Sequence, residues 1–276
     1  MNSENHISKL PTKADLKNFF LLSLVITFVM TGASAANLLF RSSVYPSDEI
    51  LQAFLPNDVV NLVIGVPILL ISMWFAKKGR IVGLLLWPGA IFYVLYNYLA
   101  YIFALPFNLM FLPNLILVTL STYTLIGFVA NIDGTEVKQR LSGLVPEKLS
   151  GGIILSFGLI YLIRVCVIAI GANIDGSEIT ATELAPMISD FIICPAWIIG
   201  GVLLWREQAL GYVSGLGLLF QASMLFIGLI IYMLIQPSLT GASTSLIDVT
   251  VVLIMGLICF IPFGLFVRGI VRSSNS

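Results

Sequence analysis

Eight stretches of this sequence are each mostly apolar for about 20 residues, the length an α-helix needs to cross the hydrocarbon of a bilayer. They fall roughly at 19–40, 58–76, 81–103, 107–130, 150–172, 187–205, 209–235 and 247–268. In lipid every backbone polar group has to be satisfied within the protein, so repeated runs of this length admit little besides a helical bundle. Composition agrees: among 276 residues, 58% are hydrophobic and 10% charged, too little polar surface to cover a water-soluble sphere. The predicted class is therefore all-α, a polytopic transmembrane helical bundle of about eight spans. The bilayer is the expected partner, and no basic patch beyond the loop ends invites nucleic acid. Pro67, Pro88, Pro113, Pro195 and Pro262 fall within five of the spans, where kinks are expected.

Basic residues set the expected orientation, because Lys and Arg in short loops stay on the cytoplasmic side. Lys9, Lys13 and Lys17 precede the first span, and Lys77, Lys78 and Arg80 follow the second. Lys138, Arg140 and Lys148 follow the fourth, Arg206 the sixth, and Arg268 and Arg272 close the chain. With eight spans these twelve of the 14 basic residues share one side, and Arg41 lies on the other. Both termini are thus expected in the cytoplasm, with the protein in the cell membrane. The resulting division is a cytoplasmic tail (1–18), a first four-span half (19–130), a cytoplasmic loop (131–149), a second four-span half (150–268) and a C-terminal tail (269–276). The basic start, the apolar core and Ala33-Ser34-Ala35 within the first span resemble a secretory signal with its cleavage site. The apolar run continues to Phe40, and an uncleaved span is the expectation.

The phrase ANIDGTEV at 130–137 returns as ANIDGSEI at 172–179. An Asp-Gly turn with a nearby hydroxyl and carboxylate reads as either turn chemistry or a cation loop. One span separates the copies, so they lie on opposite sides and cannot build one site. Asn, Asp and Gly are what a helix exit needs, and the turn reading is preferred. Thr180 with Glu183 has capping-box spacing for the start of the sixth span.

A longer spacing also repeats. Asp58 is followed by Gly79 and Gly83, and Asp190 by Gly211 and Gly215, at the same offsets. Four spans separate the two sets, the arrangement expected of a 4+4 parallel repeat. The two Gly-xxx-Gly pairs are expected to mark close helix contacts. The segments DVVNLVIGVPILLISMWFAKKG and GLLLWPGAIFYVLYNYLAYIF, within residues 58–130, and GVLLWREQALGYV at 201–213 resemble a group of uncharacterised prokaryotic multi-span membrane proteins. The resemblance implies a prokaryotic inner membrane and no catalytic residue.

Ionisable groups within a bilayer are costly and often functional. Arg164 is the deepest, about 21 Å into the fifth span at 1.5 Å per residue. Asp190 descends from the outside in the sixth span to a comparable depth, so the two are expected to pair across adjacent helices, as a structural ion pair or as part of a pocket. Asp58 opens the second span, where an acid complements the helix dipole. Tyr93, Asn97 and Tyr101 share one face of the third span, with Asn97 read as either helix-helix bonding or cavity lining. Asn114, Ser121 and Thr122 would extend a polar path, and Gln221 lies mid-span.

Catalysis finds little support. His6 is the only histidine, and Cys166, Cys194 and Cys259 lie in apolar runs without metal or redox spacing. No Gly-x-Ser-x-Gly elbow or His-Glu-x-x-His occurs, and no cofactor or metal is expected. Three readings follow: a small-solute transporter or permease-like protein, a non-catalytic scaffold or assembly partner, and, less favoured, an intramembrane enzyme. A transporter places Arg164, Asp190, Asp58 and Asn97 on one cavity. A scaffold scatters them. The ligand and any homo-oligomer are left open.

Overall fold

The computed structural model describes residues 10–241 and 245–273; His6 and Lys9 lie outside the described residues. The chain is a helical bundle: α1 (Lys17–Leu39), short α2 (Arg41–Val44), α3 (Asp48–Val60), a π turn (Asn61–Gly65), α4 (Val66–Lys77), α5 (Ile81–Ala104), α6 (Phe111–Asn131), α7 (Gly134–Leu141), α8 (Glu147–Asp175), α9 (Ala181–Trp205), α10 (Ala209–Thr240) and α11 (Leu246–Ser273). Among the described residues eight spans are long and apolar enough to cross a membrane, with α3, the π turn and α4 forming a single one, Asp48–Lys77. Both described ends of the chain therefore lie at one end of the bundle, the terminal face; the opposite end is the far face.

Several boundaries differ from the hydropathy reading. The second span starts at Asp48 rather than near 58 and the sixth at Ala181 rather than 187, because each opens with a polar, capped turn that an apolar window does not register. Ser47 accepts from the Ile50 amide, and Thr180 with Glu183 forms the full capping box. The last helix continues to Ser273, beyond the expected tail boundary at 268.

The two copies of the ANIDG phrase do different work. In the first, Asn131 ends α6 and holds both backbone groups of Ala14, at 2.8 and 3.2 Å. Asp133 then accepts from the Thr135 and Glu136 amides and starts α7, a helix within the segment expected to be loop. In the second, the helix runs through to Asp175 and Gly176 closes it at φ +64°, where a Cβ would be strained.

Helix α5 is the hub. Of its apolar window 83% is buried, against 22% for α8 and α11; the less buried helices are the more apolar, whereas α5 carries Tyr93, Tyr96, Asn97, Tyr98 and Tyr101, whose polar groups need partners inside the bundle. It packs against α4, α6, α9 and α10. It meets α10 closely at Gly89, where a Cβ would overlap the carbonyl of Gly217.

Gly89 and Gly217 touch each other and lie 128 positions apart, and further backbone features recur at that spacing. At the same spacing, Arg80 N and Gly79 N bond Phe75 O and Ala76 O, while Gln208 N and Glu207 N bond Leu203 O and Leu204 O. Both sets are Schellman closures of a helix C-terminus. Gly83 and Gly211 follow, each with a Cβ position overlapping the backbone of the preceding helix, and Pro67 matches Pro195. This register differs by four residues, about one helical turn, from the one that equates Asp58 with Asp190. Gly79 is accordingly a turn residue, with φ +72°, rather than half of a packing pair. Its counterpart Glu207 holds φ +55° at a cost of about 1–2 kcal/mol for a residue with a Cβ, which hides the equivalence from glycine spacing. Gly215 packs on the side chains of Leu204 and Phe266.

Pro56 lies inside α3 and cannot donate to the Gln52 carbonyl one turn earlier. That carbonyl accepts instead from Tyr232 Oη at 2.9 Å and Gln236 Nε2 at 3.4 Å, both on α10. A proline-freed acceptor thus ties the two halves together in the far half of the bundle.

Candidate functional site

The far half holds a half-open cavity of about 440 Å³ between α3, α5, α8, α9 and α10. Its polar lining is Asn57, Tyr93, Tyr96, Asn97, Tyr161, Arg164, Asp190, Trp197 and Tyr232, with Ala222, Leu225 and Gly228 among the apolar walls. Residues come from both halves of the chain because α5 and α10 cross at Gly89 and Gly217 below it.

Arg164 Nη2 lies 3.0 Å from Asp190 Oδ2, an ion pair between α8 and α9. The second carboxylate oxygen accepts from Tyr96 Oη at 3.0 Å. Burial is unequal: the Asp190 side chain is 6% exposed and that of Arg164 48%. The guanidinium also sits 5.7 Å from the Tyr161 ring centroid. Tyr161 meets Trp197 edge to face, and Trp197 Nε1 donates to Gln221 Oε1 at 2.6 Å. This fixes the indole as one wall and accounts for the mid-span glutamine.

Asn97 serves both roles weighed for it. Its Nδ2 donates to Tyr93 O at 2.9 Å within α5, and its Oδ1 accepts from Asn57 Nδ2 at 3.4 Å while the residue lines the cavity. Asp58 and Tyr101 do not line the cavity. They stand directly behind its wall, in a separate polar cluster reached through Asn57, whose Nδ2 is also 3.4 Å from Tyr101 Oη.

In that cluster Asp58 is fully buried and sits well inside the span rather than at a helix start, so it complements no helix dipole. Its carboxylate accepts from Asn37 Nδ2 at 3.1 Å, from Tyr101 Oη at 3.0 Å and from Tyr45 Oη. Tyr45 reaches it from the connection after α2; burial and then the Asp58 charge hold this phenol far above its ordinary pKa, so it remains a donor. Sequence reading missed Tyr45, Asn37 and Tyr96. Only Asn37, a polar residue late in the first apolar run, carried a signal.

Asn114, Ser121 and Thr122 on α6 do not extend the path: none lines the cavity, and Thr122 bonds its own helix at Val118 O. An apolar cleft of about 230 Å³ between Pro88, Phe92, Leu203 and Leu218 offers Ser214 as its single hydroxyl. Among the described residues no group of three or more His, Cys, Asp or Glu is placed to hold a metal.

Fold and site define a multi-pass α-helical membrane protein with a polar, aromatic-walled cavity inside the bundle. No protein-family model, curated protein or solved structure matches the chain significantly.

Proposed function

We propose that the protein is a small-solute transporter or permease-like protein of a prokaryotic cytoplasmic membrane, with both termini in the cytoplasm and the far face outside. The observation that carries this reading is the placement of Arg164, Asp190 and Asn97, three of the four residues expected on a transport cavity, around one aromatic-walled cavity that Asn57 also lines, with Asp58 behind its wall. A pocket of a few hundred Å³ with few polar groups among apolar walls is the usual form of a small-molecule site. The chemistry of the pair favours a zwitterionic solute: an anionic group replaces Asp190 at Arg164, and a cationic group replaces Arg164 at Asp190. Neither protein charge is then left unpaired.

Accessibility tests the reading. In a variant with Cys166, Cys194 and Cys259 replaced by alanine, a single cysteine at Asn97 is expected to react with a membrane-impermeant maleimide added to intact cells. Reaction only after lysis would overturn the orientation. No reaction under either condition would show that water and solutes do not reach the cavity.

A further inference from the structure

Asp58 poses a charge problem that the cavity does not solve. The carboxylate is fully buried within a membrane span, and among the described residues no Lys or Arg pairs with it. The titratable groups around it are the phenols of Tyr45, Tyr98 and Tyr101, which are neutral donors. Three donors converge on its oxygens, and an acidic group this deep in a bilayer is a candidate functional group.

The neighbouring amides show where a partner would sit. Asn37 uses its nitrogen on Asp58, while its Oδ1 is buried with nothing to accept from. Asn61, one turn beyond Asp58 in the π turn, is fully buried with both amide atoms unpartnered. Orphaned buried polar atoms are rare in folded proteins. Here Asn37 touches the carboxylate and Asn61 stands by the Tyr98 phenol next to it, around an acid with no cationic partner among the described residues.

We infer that Asp58, Asn37 and Asn61 form a buried site for one dehydrated, sodium-sized monovalent cation. Carboxylate and amide oxygens are the ligands a hard cation takes. One carboxylate exactly neutralises a monovalent ion, whereas a divalent ion would leave a net positive charge in the low-dielectric interior. The Ser34 hydroxyl beside the carboxylate supplies a further oxygen. Communication with the cavity runs through Asn57, which lies within 3.4 Å of both Tyr101 Oη and Asn97 Oδ1. This coupling rests on the transport reading; the cation site itself does not.

The test is thermal unfolding of the purified protein in detergent, titrated with sodium chloride against potassium or choline chloride at constant ionic strength and two pH values. Sodium is expected to raise the midpoint saturably by several degrees. The response should weaken at the lower pH, where protons compete for Asp58, and vanish in Asp58→Asn. Should that variant not fold, Asn61→Ala supplies the same test by shifting the sodium midpoint about tenfold or more, for a lost ligand worth at least about 1.4 kcal/mol. Equal midpoints in sodium, potassium and choline would overturn the site. So would a midpoint set by pH alone, which would mean that a proton fills it. A solute that binds without any sodium response would refute this inference and leave the transport reading standing; a sodium response from a protein whose cavity is closed to water and solutes would do the reverse.

Discussion

Gly89→Ala is expected to destabilise the bundle by about 3 kcal/mol, the upper end of overpacking costs, because the new Cβ meets backbone that cannot rotate away. The atom it overlaps is the Gly217 carbonyl oxygen, so α5 and α10 have to separate. Gly217→Ala should be milder, about 1 kcal/mol, since its Cβ would lie 3.1 Å from Gly89 N and Leu85 O. Thermal or denaturant unfolding in detergent measures both. The order matters more than the values: a larger loss for Gly217→Ala would mean that the helices do not cross as described. Because Gly228 and Tyr232 follow on α10, the same separation would widen the cavity.

The Arg164 and Asp190 substitutions are expected to be unequal as well. Arg164→Ala leaves a nearly buried carboxylate with Tyr96 as its remaining partner, a loss of about 2–3 kcal/mol. Asp190→Ala leaves a guanidinium that is half exposed and already seated near Tyr161, so about 1 kcal/mol is expected after discounting for that exposure. The double substitution should cost at least about 1 kcal/mol less than the sum of the singles. Additive losses in unfolding measurements would show that the two charges do not interact.

The span pattern was legible because lipid imposes a length on every crossing, and apolar runs of that length survive in one sequence without comparison. The Arg164 and Asp190 pairing was legible for a related reason. Each residue's depth follows from its count along a helix, and a short connection keeps α8 and α9 adjacent. The Asp58 cluster was not readable in the same way. Tyr45 reaches it from a connection after α2, and nothing in periodicity reports where a loop side chain folds back. Residue spacing equates Asp58 with Asp190, whereas the backbone features that recur lie about a turn away from that register. Glycine spacing tracked chemistry, whereas the backbone repeats its geometry at Gly79 and Glu207, which no residue-type pattern equates. Helix α7 was hidden for a similar reason: the same ANIDG phrase ends one helix at its glycine and starts another from its aspartate.

The central claim is that the cavity binds a small polar solute between Arg164 and Asp190. Thermal unfolding of the purified protein against a panel of zwitterionic and polar solutes tests it most directly. At least one solute is expected to raise the midpoint saturably in the wild type and to lose that effect in Arg164→Gln, with Val137→Ala, a large-to-small change at a buried residue of α7 away from the cavity, retaining it as a control for general destabilisation. A panel that leaves the wild type unmoved, or that shifts the wild type and Arg164→Gln alike, would contradict the account.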